Sequence, residues 1–279
     1  MESTPLFLSP AQVATLYAQT GAEKTRRPAH VLLLLGILAG AIIALAGAAT
    51  NTAVYGISDP WTVRTVCALL FPFGLATVVL MGAELFTGNC LITISLLDGR
   101  CSLGGMLRNW LLVYAGNTVG AVLIALVCSQ FGQMNYSGGL LGAYTIQVAA
   151  GKCALAPANA FVLGILCNFL VCIGVLMAMS GRDNASRILG AYLPVCFFVL
   201  CGFEHSIANL YYIPAGLLAA QNPSYADLAQ TFFQTDLSVL TLGNGLRNLA
   251  LVTLGNLVGG TGLAALLWTC FRPAPVNSH

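Results

Sequence analysis

Apolar residues run in six blocks along this chain, at about 30–55, 62–97, 104–131, 157–180, 188–220 and 246–270, with short polar joins between them. A straight helical span across a bilayer takes about 20 apolar residues. The second and fifth blocks are far too long for that, and each carries polar residues and glycine near its middle. The interruptions are Gly82-Ala83-Glu84-Leu85-Phe86-Thr87-Gly88-Asn89 and Gly202-Phe203-Glu204-His205-Ser206-Ile207-Ala208-Asn209. Both read as helices broken by irregular backbone, which membrane depth tolerates only where protein buries it or a cavity uses it. The pattern predicts an all-α integral membrane protein with six transmembrane helices, the second and fifth interrupted.

The blocks also repeat. Gly82, Glu84 and Asn89 are spaced as Gly202, Glu204 and Asn209 are. Arg108-Asn109, Gly116-Asn117 and Val119-Gly120 parallel Arg247-Asn248, Gly255-Asn256 and Val258-Gly259, and Gly36-Ile37-Leu38 parallels Gly164-Ile165-Leu166. Three spans per half is an odd number, so the second half must sit upside down. Inverted repeats with equivalent broken helices put a permeation site at the repeat interface, near the midplane. The expected organisation is an amphipathic segment at 1–29, one transmembrane channel domain at 30–271 and a tail at 272–279. The repeats within the domain run from about 30 to 131 and from about 157 to 270.

Composition supports lipid as the main solvent: 58% of residues are hydrophobic and 7% charged, against about 25% charged in soluble domains. A net charge of +2 with no dense basic run excludes nucleic acid as a partner. The ten cysteines lie mostly in or beside apolar runs and act as small hydrophobes. None forms a C-x-x-C pair or a Cys/His metal spacing, so neither metal nor cofactor is expected. Lys24, Arg26, Arg27, Arg100, Arg108, Arg182, Arg187 and Arg272 fall on one side if both termini are cytoplasmic, leaving Arg64, Lys152 and Arg247 outside. That bias predicts a multi-pass plasma (inner) membrane protein with its N- and C-termini in the cytoplasm. Ser9-Pro10 reads as an N-cap and first-turn proline opening a short helix near the membrane surface.

Ionisable side chains at membrane depth are costly unless paired. Glu84 and Glu204 can each accept hydrogen bonds from the amides freed by their own helix break, a structural role shared with Gly82, Gly88 and Gly202. His205 is either a satisfied core histidine or a pore residue that donates a hydrogen bond or proton to a passing anion. Thr87 can face the same space. Lys152 is either an interfacial lysine or an anion lure at the outer mouth. Asn168 and Asn256 suit helix packing and cross-bonding. No catalytic set is visible: the chain lacks H-E-x-x-H and G-x-S-x-G, and Ser206 directly neighbours His205. A neutral-solute channel for water or glycerol is the rival transport reading, but no Asn-Pro-Ala pair is present.

The string Gly-Phe-Glu-His-Ser-Ile-Ala-Asn at 202–209, together with Gly82–Asn89, Gly164–Asn168 and the Gly-Asn pairs of the third and sixth blocks, resembles the formate/nitrite transporter family. The resemblance runs from about 30 to 270. It implies an aquaporin-like fold in a homopentamer, each protomer with its own pore for a small monovalent anion: formate, nitrite or hydrosulfide. It also implies His205 as the central pore histidine with Thr87 beside it. Leu75, Leu85 and Phe86 would form a cytoplasmic-side constriction, and Phe71 and Phe198 a periplasmic one. Lys152, Asn168 and Asn256 would assist the anion. Residues 1–29 resemble the helix that gates the inner mouth in some members. Desolvation favours the neutral acid over its anion between such apolar rings, so protonation near His205 is the expected mechanism.

Overall fold

In the computed structural model residues 7–272 are described; the expected tail, apart from Arg272, and the first six residues lie outside them. Thirteen α-helices run through the described chain. They are α1 (Pro10–Arg26), α2 (Ala29–Val54), α3 (Pro60–Leu70), α4 (Phe73–Met81), α5 (Phe86–Asn89), α6 (Ile92–Leu97) and α7 (Leu103–Gln130), followed by α8 (Tyr136–Ala154), α9 (Pro157–Ser180), α10 (Asn184–Leu200), α11 (Ser206–Ala219), α12 (Pro223–Thr231) and α13 (Leu242–Cys270). Five helical stretches are long and apolar enough to cross a membrane: α2, the Pro60–Met81 stretch of α3 and α4, α7, α9 and α13. The long second block divides into α3, α4, α5 and α6, and the long fifth block into α10 and α11, each with its break where the polar insert stands.

Two helix pairs form the centre of the packing, α2 with α7 and α9 with α13. Glycines let the backbones meet. A Cβ on Gly36 would lie 3.1 Å from the Gly116 Cα, and one on Gly164 would lie 3.2 Å from the Gly255 Cα. Small residues at such crossings are the usual basis of helix association in lipid, where apolar surface alone gives no preference for protein over tail.

Helix α1 starts as its sequence suggests: the Ser9 hydroxyl and Gln12 side chain cap it reciprocally, with Pro10 in the first turn. It does not lie free along a membrane surface. Its Ala14, Tyr17, Ala18, Gly21 and Ala22 face is buried against protein, chiefly α6. Gly21 is so close to Ser95 that a Cβ would overlap the Ser95 hydroxyl. The narrow, small-residue face favours a protein partner, and the basic end of the helix meets a buried carboxylate.

Candidate functional site

Each break is built by the same backbone device. Gly82 ends α4 with φ +64° and Gly202 ends α10 with φ +70°, a left-handed conformation that strains any residue with a Cβ. The Ala83 and Phe203 amides then bond back to the Val78 and Phe198 carbonyls, both at 3.0 Å. Beyond the turn the chain bonds to a neighbouring helix: the Glu84 amide donates to the Leu35 carbonyl at 3.2 Å and the Glu204 amide to the Leu163 carbonyl at 3.3 Å. An asparagine clamps each segment. Asn117 donates to the Gly36 and Glu84 carbonyls at 2.8 and 2.9 Å and accepts the Phe86 amide at 2.9 Å. Asn256 donates to the Gly164 and Glu204 carbonyls at 2.8 and 2.9 Å and accepts the Ser206 amide at 2.9 Å. These side chains replace the helical partners that the irregular segments lack.

A carboxylate sits in each frame. Glu84 is fully buried. Its Oε2 accepts from Asn89 Nδ2 at 2.6 Å and Lys24 Nζ at 3.0 Å, and its Oε1 from Arg27 at 2.6 Å. Glu204 accepts from Asn209 Nδ2 at 2.7 Å on Oε2 and from Lys152 Nζ at 2.6 Å on Oε1. The supporting amides match as well. Asn89 also donates to Asn109, which donates to the Lys24 carbonyl; Asn209 donates to Asn248, which donates to the Lys152 carbonyl. The shift of 128 positions that relates Gly36 to Gly164 also relates Lys24 to Lys152. That spacing was the available signal for Lys24. Read as a topological charge alone, Lys24 gave no hint that it closes onto Glu84 across 60 residues.

Two cavities adjoin this arrangement, one at each break. The first, of about 510 Å³, is lined by Leu75, Leu85, Gly82, Glu84 and Gly88, with Tyr17, Lys24 and Arg27 of the N-terminal region as one wall. The Tyr17 hydroxyl donates to the Gly88 carbonyl at 3.0 Å. The second, of about 110 Å³, is lined by Phe71, Phe198, His205, Lys152, Gly202 and Asn209, with Thr50 and Tyr212. The Phe71 and Phe198 rings meet edge-on at 6.0 Å between centroids, and Phe198 stacks on the His205 ring at 5.9 Å.

Thr87 and His205 are joined by a hydrogen bond of 3.0 Å between Oγ1 and Nε2, and both are buried. The other ring nitrogen, Nδ1, accepts the Ala208 amide at 3.1 Å and so caps α11. An imidazole nitrogen that accepts a hydrogen bond carries no proton. The neutral ring therefore holds its proton on Nε2 and donates it to Thr87 Oγ1, which leaves the threonine hydroxyl hydrogen for a further acceptor. Of the two, His205 lines the second cavity, whereas Thr87 lines neither.

The remaining expected site residues are placed differently. Asn168 donates to the Thr87 carbonyl at 3.2 Å and the Asn256 carbonyl at 2.7 Å, so it steadies the Thr87 segment, and like Asn256 it lines neither cavity. Phe86 also lines neither: its ring packs edge-on against Tyr114 and Trp110 at 5.0 and 6.4 Å. Arg64 is exposed and covers Gly202, where a Cβ would lie 2.5 Å from its Nη1. Among the described residues, no group of three or more His, Cys, Asp or Glu side chains is placed to hold a metal ion.

The family described as formate/nitrite transporter matches residues 11–270. The formate channel FocA of Escherichia coli (strain K12) is 35% identical over 94% of this chain and 93% of that protein. The formate channel FocA of Haemophilus influenzae is 34% identical over 91% of this chain and 90% of its own length. Among solved structures, a pentameric formate channel with formate bound superposes with a TM-score of 0.76 at 32% identity, covering 87% of this chain and 96% of that one.

Proposed function

The chain belongs to the formate/nitrite transporter family, and from that premise we propose that it carries small monovalent weak-acid anions, formate or nitrite, across the inner membrane through a pore in each protomer of a homopentamer. On this reading the fold is the six-span, aquaporin-like inverted repeat, in one channel domain at 30–271. Both termini face the cytoplasm, so the first cavity opens inward and the second outward. The observation that carries the proposal is the buried Thr87–His205 pair, set between a cavity lined by Leu75 and Leu85 and one lined by Phe71 and Phe198.

An ion between those side chains loses most of its hydration, which costs far more for the charged than for the neutral form. Lys152 draws the anion into the outer cavity. The Nε2–H of His205, relayed through the Thr87 hydroxyl, stabilises negative charge at the narrowest point and favours proton uptake by the weak acid. The neutral acid then passes and ionises in the opposite cavity. Asn168 acts here by holding the Thr87 backbone, and Asn256 by holding the outer break.

Flux into purified proteoliposomes tests this, with formate, nitrite, hydrosulfide and chloride compared at acid and neutral pH. Weak-acid flux should exceed chloride flux and rise at acid pH, and His205→Asn should flatten that rise. Passage of chloride as fast as formate would mean selection by size and charge alone.

A further inference from the structure

The two carboxylate networks share their Asn–Glu, Asn–Asn and Asn–carbonyl bonds and differ in where their cations bind. In the inner network Asn89 Oδ1 accepts from Lys24 Nζ at 2.8 Å, and the same ammonium reaches Glu84 Oε2 at 3.0 Å. One donor thus bridges the asparagine oxygen and the carboxylate oxygen. In the outer network Lys152 bonds the other carboxylate oxygen, Glu204 Oε1. Asn209 Oδ1 is buried and has no partner. The amide cannot be turned round to remove the vacancy, because its nitrogen serves two acceptors, Glu204 Oε2 at 2.7 Å and Asn248 Oδ1 at 2.8 Å. A buried acceptor left unpaired costs about as much as a lost hydrogen bond. Asn209 lines the outer cavity beside His205 and Lys152.

We infer that Asn209 Oδ1, with Glu204 Oε2 next to it, is the outer cavity's receptor for the hydroxyl of the protonated weak acid. This rests on the transport reading above. The inner network shows what the geometry takes: a hydrogen-bond donor at 2.8–3.0 Å. An anion has no such donor and meets two oxygens that repel it, so the site distinguishes the acid from its conjugate base. The acid's other oxygen stays free to accept from Lys152 or from the Thr87–His205 pair. Charged and titratable groups around the site are Glu204, Lys152 and His205, with Cys67 and Tyr212 also in the lining and Arg64 over Gly202.

Uptake of formate and of chloride by wild type and Asn209→Ser, at acid and neutral pH, gives the first test. Withdrawing the acceptor, together with the two bonds that Nδ2 donates, should lower formate uptake at acid pH by about tenfold or more, the equivalent of one or more hydrogen bonds, while chloride leakage stays as it was. A fall of both by one factor is a structural effect and overturns the inference, as does an unchanged formate profile. Equal formate and chloride flux in wild type overturns the transport reading itself, whereas a wild-type preference for formate that Asn209→Ser retains overturns only the role of Asn209. The second test needs no variant. A cryo-EM map of wild type with formate at acid pH should show a planar ligand with one oxygen within about 3.2 Å of Asn209 Oδ1. A lone water there, with formate elsewhere, overturns the inference; so does stabilisation of the wild-type protein by ammonium at that site and none by formate.

Discussion

Glu84 and Glu204 occupy the same frame: a glycine-ended helix, an asparagine clamp, a second asparagine on Oε2. Their electrical surroundings differ. Glu84 meets two cations, Lys24 and Arg27, both from the N-terminal helix and the residue after it. Glu204 meets one, Lys152. The inner carboxylate and its asparagine have all their acceptors engaged by the protein, while the outer pair has one oxygen open. The backbone device is the same in both halves, and the difference lies in which segment supplies charge. A small change in side-chain supply leaves every acceptor of one asparagine–carboxylate pair engaged and one oxygen of the other open.

The largest effect should come from the clamps themselves. Asn117→Ala and Asn256→Ala each remove three buried hydrogen bonds to backbone, at about 1–3 kcal/mol for every group left unpaired. Both variants should lose most of their folded yield and show sharply lowered thermal midpoints in detergent. Similar losses would extend the equivalence of the two frames from geometry to energy, and tolerance of one variant would break it.

Next is the carboxylate. Glu84→Gln leaves Lys24 and Arg27 close together without a counter-charge, and Glu204→Gln leaves Lys152 alone. Removing one partner of a buried pair costs about 3–5 kcal/mol; the partial exposure of these cations reduces that to about 1–3 kcal/mol. The location of the damage separates the two. Hydrogen exchange across residues 10–26 should accelerate in Glu84→Gln and stay at the wild-type rate in Glu204→Gln. The smallest effect is Tyr17→Phe, which removes one hydroxyl bond to Gly88. A loss of about 1 kcal/mol should raise exchange in α1 by about fivefold, with the outer cavity unaffected.

Much of this was legible before any coordinates. The Gly-x-Glu spacing marked both breaks because positive φ needs glycine, but the role expected of the glutamates does not hold. The freed amides go to the Leu35 and Leu163 carbonyls and to Asn117 and Asn256, while the carboxylates accept from Asn, Lys and Arg side chains. That Thr87 could face the same space as His205 was readable from the two inserts, and its place beside His205 came from the family resemblance; the hydrogen bond between them is seen in the structure. The direction of Phe86 was not legible: one residue beyond a non-helical turn, its side chain is aimed by local dihedrals that no periodicity records, and it points to Trp110 and Tyr114. Asn168 and Asn256 were readable as cross-bonding residues but not as backbone clamps, because their acceptors are carbonyls, which every residue has. The partnership of Lys24 with Glu84 depends on α1 docking as a unit, so a charge count along the chain sees only a topology signal. The orphaned oxygen of Asn209 is further still from the sequence, since it is defined by the absence of a donor in three dimensions.

The docking of α1 also has a consequence for how the molecule is made. The Leu8 amide donates to the Ser180 carbonyl at 3.0 Å, and Tyr17 and Lys24 reach Gly88 and Glu84. Chains are synthesised at about 5–20 residues per second, so the ribosome reaches Ser180 about ten seconds or more after it has finished α1. The part of the α1 docking that rests on Ser180 thus forms only after α9 has been made, whereas its contacts with α6 and Glu84 lie within the first half.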